Sequence, residues 1–243
     1  MIRGFCSIVF QRETLRPVLA LAAVSVVAMG LVGTRILLSQ SLKHGYLVWN
    51  LFLAWLPLFF CLASVRTLRF RGARHWKFWA LAIAWLLFLP NAPYIFTDLT
   101  HLGPRNRGHF WVDLVLIVMT AWTASLVGFL SLYVMQTLVA RRYGWVTGWG
   151  FAVLVSALVG LGVYIGRFLR WNSWDVLLNP FGIAGDMLMW PIRSVADKRL
   201  VIYPILFALL FFAAHVTLAA LLHLRPQPDG RAPSNPKLGG EEF

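Results

Sequence analysis

The chain has 243 residues, of which 59% are apolar and only 13% are charged. Soluble domains are nearer half apolar and a quarter charged, so this composition excludes a disordered chain and an ordinary soluble enzyme. The charge is also one-sided, with 22 Lys and Arg against 9 Asp and Glu, a net charge of +13. Scarce, mostly basic charge in an apolar chain is typical of a polytopic membrane protein.

Six long apolar stretches can each cross a bilayer as a helix, which takes about 20 residues. Because backbone polar groups cannot stay unpaired in hydrocarbon, we expect helices in these stretches. The sequence therefore predicts an all-α transmembrane bundle with six spans, at about 17–38, 46–65, 78–97, 112–139, 145–167 and 200–224. We expect residues 1–225 to form a single transmembrane domain. Residues 226–243 are rich in proline and poor in apolar residues, which predicts a disordered C-terminal tail.

Basic residues that flank the spans account for the net charge, because such residues set membrane orientation and contact anionic headgroups. With six spans both termini share one side, and that side holds thirteen of the 22 Lys and Arg. The positive-inside rule then places both termini in the cytoplasm, with the first, third and fifth loops outside. No basic helix or fold signature that reads a nucleic-acid groove is present, so nucleic-acid binding is not expected.

The third span ends in the densest polar stretch of the chain. Pro90 and Pro93 disrupt the backbone hydrogen-bond ladder of a helix, so we expect this span to kink or break near Asn91. Broken helices at membrane depth are tolerated where they line protein or a water-filled cavity. Five aspartates, three histidines and Asn50 fall on the side of the odd-numbered loops, so polar groups from three loops converge on one face of the bundle.

Four side chains beyond the predicted break are candidates for chemistry. Asp98 and His101, at i and i+3, share a helix face, as do His109 and Asp113 at i and i+4. Two carboxylates and two imidazoles could hold a divalent metal ion. Alternatively, Asp98 and His101 form an acid/base pair. The structural alternative is that Asp113 stabilises the start of its helix and Asp98 pairs with an arginine at 105 or 107.

A second polar stretch follows the fifth span. Arg167 and Arg170 are spaced for one helix face, and guanidinium groups match phosphate or carboxylate with two parallel hydrogen bonds. This pattern favours a site for an anionic headgroup or a phosphate. The alternative is an interfacial anchor, in which tryptophans join the aromatic belt and Asn172 or Ser173 caps a short helix. The candidate substrate-binding residues are Asn50, Asn91, Tyr94, Arg167, Arg170, Asn172 and Asp175.

Three further patterns concern the second half of the chain. Residues 176–192 are apolar but interrupted by prolines and glycines, which predicts an interfacial or re-entrant segment between spans five and six. Small residues at 156 and 160, and at 162 and 166, predict close helix packing. His215 lies deep in the last span, where it is either functional or a neutral histidine bonded to a neighbouring helix.

Four segments carry a resemblance to a known family. They are Trp49-Asn50 with Trp55-x-Pro57, Phe88-Leu89-Pro90-Asn91-Ala92-Pro93-Tyr94 with Thr97-Asp98-Leu99 and His101-Leu102, Trp111-x-Asp113, and Arg167-Phe168-x-Arg170-x-Asn172-Ser173-Trp174-Asp175. In these segments the chain resembles a family of bacterial six-helix membrane proteins described only as a domain of unknown function. The resemblance implies a protein of the bacterial plasma (inner) membrane, and it implies no activity.

Three classes of function stay open at this point. The first is a membrane-embedded enzyme or lipid-handling protein, whose polar face binds an anionic lipid or a phosphate-bearing substrate. The second is a transporter of a small solute or ion, and the third is a non-catalytic assembly or partner protein. The expected partners are the lipid bilayer and its anionic headgroups. A divalent metal is the cofactor that the Asp and His residues suggest.

Overall fold

The computed structural model of the chain describes residues 12–102 and 109–223, and within these ranges every regular element is a helix. The helices are α1 (Arg12–Ser39), α2 (Gly45–Arg71), α3 (Trp76–Phe88), α4 (Asn91–Tyr94), α5 (Phe110–Tyr143), α6 (Trp145–Phe168), α7 (Asp175–Leu178), α8 (Pro180–Ala196) and α9 (Arg199–His223). Single 3-10 segments occupy Leu42–His44 and Ile95–His101. The predicted tail at 226–243 and the arginines at 105 and 107 lie outside the described residues.

Six helical stretches are long and apolar enough to cross a membrane, which confirms the predicted all-α bundle with six spans. They are Leu15–Ser39, Leu42–Arg71, Trp76–His101, Phe110–Tyr143, Trp145–Phe168 and Leu200–Leu221. Several helices are longer than the apolar stretches predicted. The second span continues to Arg71 and the fourth to Tyr143, because long basic side chains at a helix end reach the headgroup region while the backbone stays helical.

Helix α5 is the centre of the bundle, and it packs against α1, α2, α4 and α6, while α9 packs mainly on α6. One buried apolar cluster joins α2, α3, α5, α6 and α9 around Trp85, Leu132 and Phe211. A second cluster joins α1, α2, α4 and α5 around Val32, Leu47 and Ile117. The second cluster lies next to the predicted polar face, because Ala92 and Ile95 of the third span belong to it.

Glycines permit the closest approaches between helices. Gly144 alone separates α5 from α6 and has φ 99°, a left-handed conformation that L side chains rarely adopt. A Cβ atom on Gly160 of α6 would overlap the backbone oxygen of Pro204 and lie 2.9 Å from the Cβ of Ala208. The prediction that small residues allow the fifth span to pack closely is therefore confirmed. At Gly160 the helix that packs against the fifth span is the last span.

The third span breaks where the prolines predict. Helix α3 ends at Phe88, and the chain continues as the short helix α4 and then as a 3-10 segment. Two side chains supply donors to the carbonyls that the break leaves free. Asn91 Nδ2 donates to the Phe88 oxygen at 2.9 Å and to Ser173 Oγ at 3.0 Å, and Ser173 Oγ donates to the Leu87 oxygen at 2.9 Å. The loop after α6 therefore stabilises the break in the third span.

The segment between the last two spans forms α7 and α8, and α8 is joined to the bundle by two tryptophans. Trp171 Nε1 donates to Asp186 Oδ2 at 2.9 Å, and Trp190 Nε1 donates to the Leu200 oxygen at 3.3 Å. Asp186 also forms an ion pair with Arg193 at 3.2 Å on the same side of the helix. These contacts hold α8 at the ends of α6 and α9.

Candidate anion-binding site at one end of the bundle

The odd-loop end of the bundle is the end that holds the first, third and fifth loops, and Asp98 is buried there with its side chain 4% exposed. Asn50 Nδ2 from α2 donates to Asp98 Oδ2 at 3.1 Å. Oδ1 of the same carboxylate lies 3.8 Å from Arg167 Nη1 and 3.8 Å from His101 Nε2. The break in the third span is what allows this carboxylate to face α2 and α6 together, because the 3-10 segment turns differently from an α-helix.

The pair of Asp98 and His101 is an electrostatic contact in this geometry. A distance of 3.8 Å is longer than the roughly 2.6–3.2 Å at which a carboxylate and an imidazole share a proton. The His101 side chain is 52% exposed, and its ring lies 5.9 Å from the ring of Tyr46. His101 is therefore accessible to a ligand, whereas the carboxylate lies behind it.

A pocket of about 570 Å³ lies beside this carboxylate, within the range of roughly 300–1,000 Å³ common for ligand sites. It is lined by Tyr94, His101, Gly166, Arg167, Phe168, Arg170 and Asn172. Arg167 is anchored on one side, where its Nη1 lies 3.8 Å from Asp98 and its Nη2 donates to Thr100 Oγ1. Two guanidinium groups with one largely buried carboxylate leave the pocket positively charged, which suits an anionic group.

The loop that carries Arg170 is held in an unusual conformation. Arg170 has φ 59°, in the left-handed region that residues other than glycine rarely adopt. The next polar residue is fixed as well, because the Asn172 backbone N–H donates to Asp175 Oδ2 at 2.6 Å and its side-chain amide donates to the same oxygen at 3.1 Å. The Asp175 carboxylate therefore organises the loop, and Asn172 presents one edge to the pocket.

A second buried charge cluster lies between α1 and α5. Arg35 Nε donates to Asp113 Oδ1 at 2.7 Å and Nη2 to Oδ2 at 3.4 Å, and the two side chains are 10% and 7% exposed. His44 Nε2 lies 3.5 Å from Asp113 Oδ1 and is also buried. Asp113 stands in the first turn of α5, so the helix dipole and a guanidinium group both stabilise its negative charge.

The four residues considered for a metal are not brought together by the structure. Asp98 lies beside Asn50 and Arg167, whereas Asp113 is occupied by Arg35. His109 is an exposed residue just before α5. Within residues 12–102 and 109–223 no group of three or more His, Cys, Asp or Glu side chains is arranged to hold a metal ion. The geometry therefore gives no support to the metal hypothesis, because sequence spacing places residues on a helix face and does not determine which partner each face meets.

The predicted substrate-binding residues divide into three sets. Tyr94, Arg167, Arg170 and Asn172 line the pocket. Asn50 and Asp175 stand behind it and position other polar groups. Asn91 lies at the helix break, where its amide donates to a backbone oxygen and to Ser173, so its polar group is used structurally.

Sequence reasoning missed three contributors to this end of the bundle. They are Arg35, Thr100 and the pocket residue Phe168. The sequence around Arg35 contained evidence that this residue needs a charged partner. It is the one cation between residues 17 and 42 in an apolar stretch that contains no acid, so its charge needs a partner from another helix.

His215 lies far from this site, deep in the last span, and is fully buried. Its Nε2 lies 2.6 Å from Gln136 Oε1 of α5, and its ring is 6.2 Å from the ring of Trp149. This geometry is the bonded histidine that the sequence left as one of two alternatives. The contact joins α5 to α9 at the opposite half of the bundle from Asp98.

The fold and the pocket together define a multi-pass helical membrane protein with a basic pocket at one end of the bundle. Residues 49–217 match the model of a family described as "Protein of unknown function (DUF1361)", and the chain belongs to this family. The matched range includes every pocket residue, Asp98 and Asp113, and it begins after Arg35 and His44. No curated protein and no solved structure matches the chain significantly.

Proposed function

We propose that this protein binds an anionic, phosphate-bearing group in the pocket at the odd-loop end, with Arg167 and Arg170 as the principal ligands. The observation that carries the proposal is that both guanidinium groups line one pocket while the nearest carboxylate, Asp98, is almost fully buried and held by Asn50. His101 adds an imidazole on the pocket wall. Planar guanidinium groups recognise phosphate oxygens through charge-assisted hydrogen bonds, which are roughly twice as strong as hydrogen bonds between neutral groups.

The conformation of Arg170 supports the same assignment. A left-handed backbone at a residue other than glycine is unfavourable and persists where surrounding contacts hold it. Here the Asn172–Asp175 contacts and the hydrogen bonds of Ser173 hold the loop. The loop is therefore fixed before a ligand arrives, which lowers the entropy cost of binding.

The proposal also states on which side of the membrane the pocket opens. We propose that the pocket lies outside the cytoplasm of a bacterial plasma membrane, a proposal supported by the excess of Lys and Arg on the side of the termini and by the family resemblance of the sequence. In that setting the ligand is either the headgroup of an anionic lipid or a free phosphate compound.

The test uses the full chain in nanodiscs of phosphatidylcholine. Phosphatidylglycerol is added in one arm and inorganic phosphate in the other, and bound ligand is measured by native mass spectrometry. Loss of one charge-assisted contact is worth about 1.5–3 kcal/mol, so Arg167→Gln and Arg170→Gln should each weaken binding about tenfold or more. Lys43→Gln is the matched control, because it removes an exposed cation at the same end of the bundle outside the pocket.

The two arms distinguish the sources of the ligand. Binding of phosphatidylglycerol without binding of inorganic phosphate assigns the pocket to a lipid headgroup, whereas binding of inorganic phosphate that Arg167→Gln and Arg170→Gln weaken assigns it to the phosphate group itself. Equal binding by the wild type, Arg167→Gln and Arg170→Gln in both arms would contradict the proposal.

A further inference from the structure

Helix α8 carries an apolar face that no described part of the chain covers. Phe181, Leu188, Ile192 and Val195 are separated by seven, four and three residues, so they share one face of this helix. Their exposed fractions are 88%, 77%, 68% and 85%. We call these four residues the outer face of α8. Leu177 and Leu178 of α7, just before it, are similarly exposed.

The opposite side of α8 is polar and contacts the bundle through Asp186 and Trp190, while Arg193 on that side stays 55% exposed. Asp186, Trp190 and Arg193 are separated by four and three residues and lie about half a turn away from the outer face. Asp186 accepts from Trp171 and pairs with Arg193, and the ring of Trp190 lies 6.4 Å from that of Tyr164. The helix is therefore amphipathic, but it is oriented in the opposite way to a surface helix of a soluble protein: its polar side contacts the bundle and its apolar side points outward.

The contacts of Trp190 fix the level of α8 along the bundle. Trp190 bonds the carbonyl of Leu200, the first residue of the last span, and its ring packs near Tyr164, one turn before the end of α6. At 17 residues α8 is about 26 Å long, shorter than the roughly 30 Å of a bilayer core, and it contains two charges. A helix of this kind at the ends of two spans lies along the membrane and does not cross it.

We propose that α8 is an in-plane membrane helix whose outer face is buried among the acyl chains of the leaflet at the odd-loop end. Exposed apolar residues also occur at the start of the last span (Ile202, Ile205 and Leu206), and α8 is held at the level where that span begins. The lipid bilayer is therefore what covers the outer face of α8. The assignment decides between the interfacial and the re-entrant interpretations of this segment in favour of the first.

One consequence concerns the pocket and rests on the proposed function. Phe168, which lines the pocket, stacks on Tyr203 near the start of the last span at 4.9 Å, and Trp171 links the pocket loop to α8. If α8 lies among the acyl chains, the pocket opens at the depth of the lipid headgroups. A lipid headgroup would then lie at the level of the pocket, which favours a lipid as the source of the phosphate group in the binding test.

The experiment measures the depth of nitroxide labels in lipid nanodiscs and uses no ligand, so its outcome is independent of whether the pocket binds phosphate. Single cysteines replace Phe181, Leu188 and Ile192 in a Cys6→Ser background, since Cys61 is fully buried. Leu209→Cys, exposed in the middle of the last span, is the acyl-chain reference, and Lys43→Cys is the aqueous reference.

All of these positions are exposed, so the labels do not disturb packing. We expect the three α8 labels to collide with oxygen several-fold more often than with a water-soluble nickel complex, as the Leu209 label does. Collision ratios equal to those of the Lys43 label would overturn the proposal. A steady increase in depth from Phe181 to Ile192, in place of a constant depth, would overturn it in favour of a re-entrant segment.

Discussion

The buried pair of Arg35 and Asp113 provides the most direct test of how charge contributes to the stability of this bundle. The guanidinium group makes two contacts, at 2.7 and 3.4 Å, and both side chains are at least nine-tenths buried. Removing one partner of a buried ion pair typically costs about 3–5 kcal/mol, because the remaining charge loses its compensation. Asp113→Asn removes the charge with almost no change of shape, and Arg35→Gln replaces the guanidinium group with a shorter neutral side chain, so we expect each to cost about 3 kcal/mol.

The double variant distinguishes an ion pair from two independent effects. Once Arg35→Gln has removed the cation, Asp113→Asn removes a carboxylate that has lost its main partner and keeps only His44 and the helix dipole. We therefore expect the double variant to cost about 3–4 kcal/mol rather than the sum of about 6, which is a coupling energy of about 2–3 kcal/mol. The measurement is the free energy of unfolding in mixed detergent micelles for the wild type, both single variants and the double variant.

An exposed pair within the same chain is the matched control. Arg193 and Asp186 have a similar contact at 3.2 Å, but their side chains are 55% and 29% exposed. Arg193→Gln should cost less than about 1 kcal/mol, since water screens such a pair. Additive effects of Arg35→Gln and Asp113→Asn, or single effects as small as that of Arg193→Gln, would refute the reasoning.

Three further substitutions test packing and hydrogen bonding by the same unfolding assay. Gly160→Ala places a methyl group against the backbone of the last span and should cost about 1–3 kcal/mol, whereas Gly150→Ala meets nothing within 4 Å and should be nearly neutral. Ser173→Ala removes a donor and an acceptor at the break of the third span and should cost about 1–3 kcal/mol. Gln136→Leu leaves the buried His215 without its partner at a similar cost, and adding His215→Leu should restore most of the loss.

Each of these predictions has a clear contrary result. A stable Gly160→Ala variant would mean that α6 and α9 separate easily. A neutral Ser173→Ala would mean that water satisfies the freed carbonyls. The control for the serine is Thr217→Ala, which removes an exposed hydroxyl bonded within its own helix and should change stability by less than about 0.5 kcal/mol. If Gln136→Leu and the double variant are equally unstable, the contact with His215 is not the cause.

Apolar length and proline position were enough to predict most of the fold. Each span follows from a stretch of about 20 apolar residues, and the break near Asn91 follows from the missing N–H groups of Pro90 and Pro93. These features depend on neighbours in the sequence. The rule that hydrocarbon leaves only helices available then supplies the rest of the architecture.

The partners of the polar groups were predicted less well, because they depend on how each helix is rotated about its axis. Asp113 and His109 share a face by spacing, yet Asp113 meets Arg35, which lies inside the predicted first span. Asn91 was expected in the binding site, but the same prolines that break the helix leave carbonyls that take up its amide. A lone arginine in an apolar helix carries information about a partner but does not identify it.

The break in the third span has a consequence for the electric field across the membrane. The continuous part of this span, Trp76–Phe88, has 13 residues and is about 20 Å long, against roughly 30 Å of hydrocarbon. The remaining thickness is filled by Asn91–His101, which ends beside a pocket that holds two guanidinium groups. The backbone dipoles of this span therefore align as an α-helix over only about two-thirds of the hydrocarbon thickness, and the negative end of that α-helix lies inside the membrane.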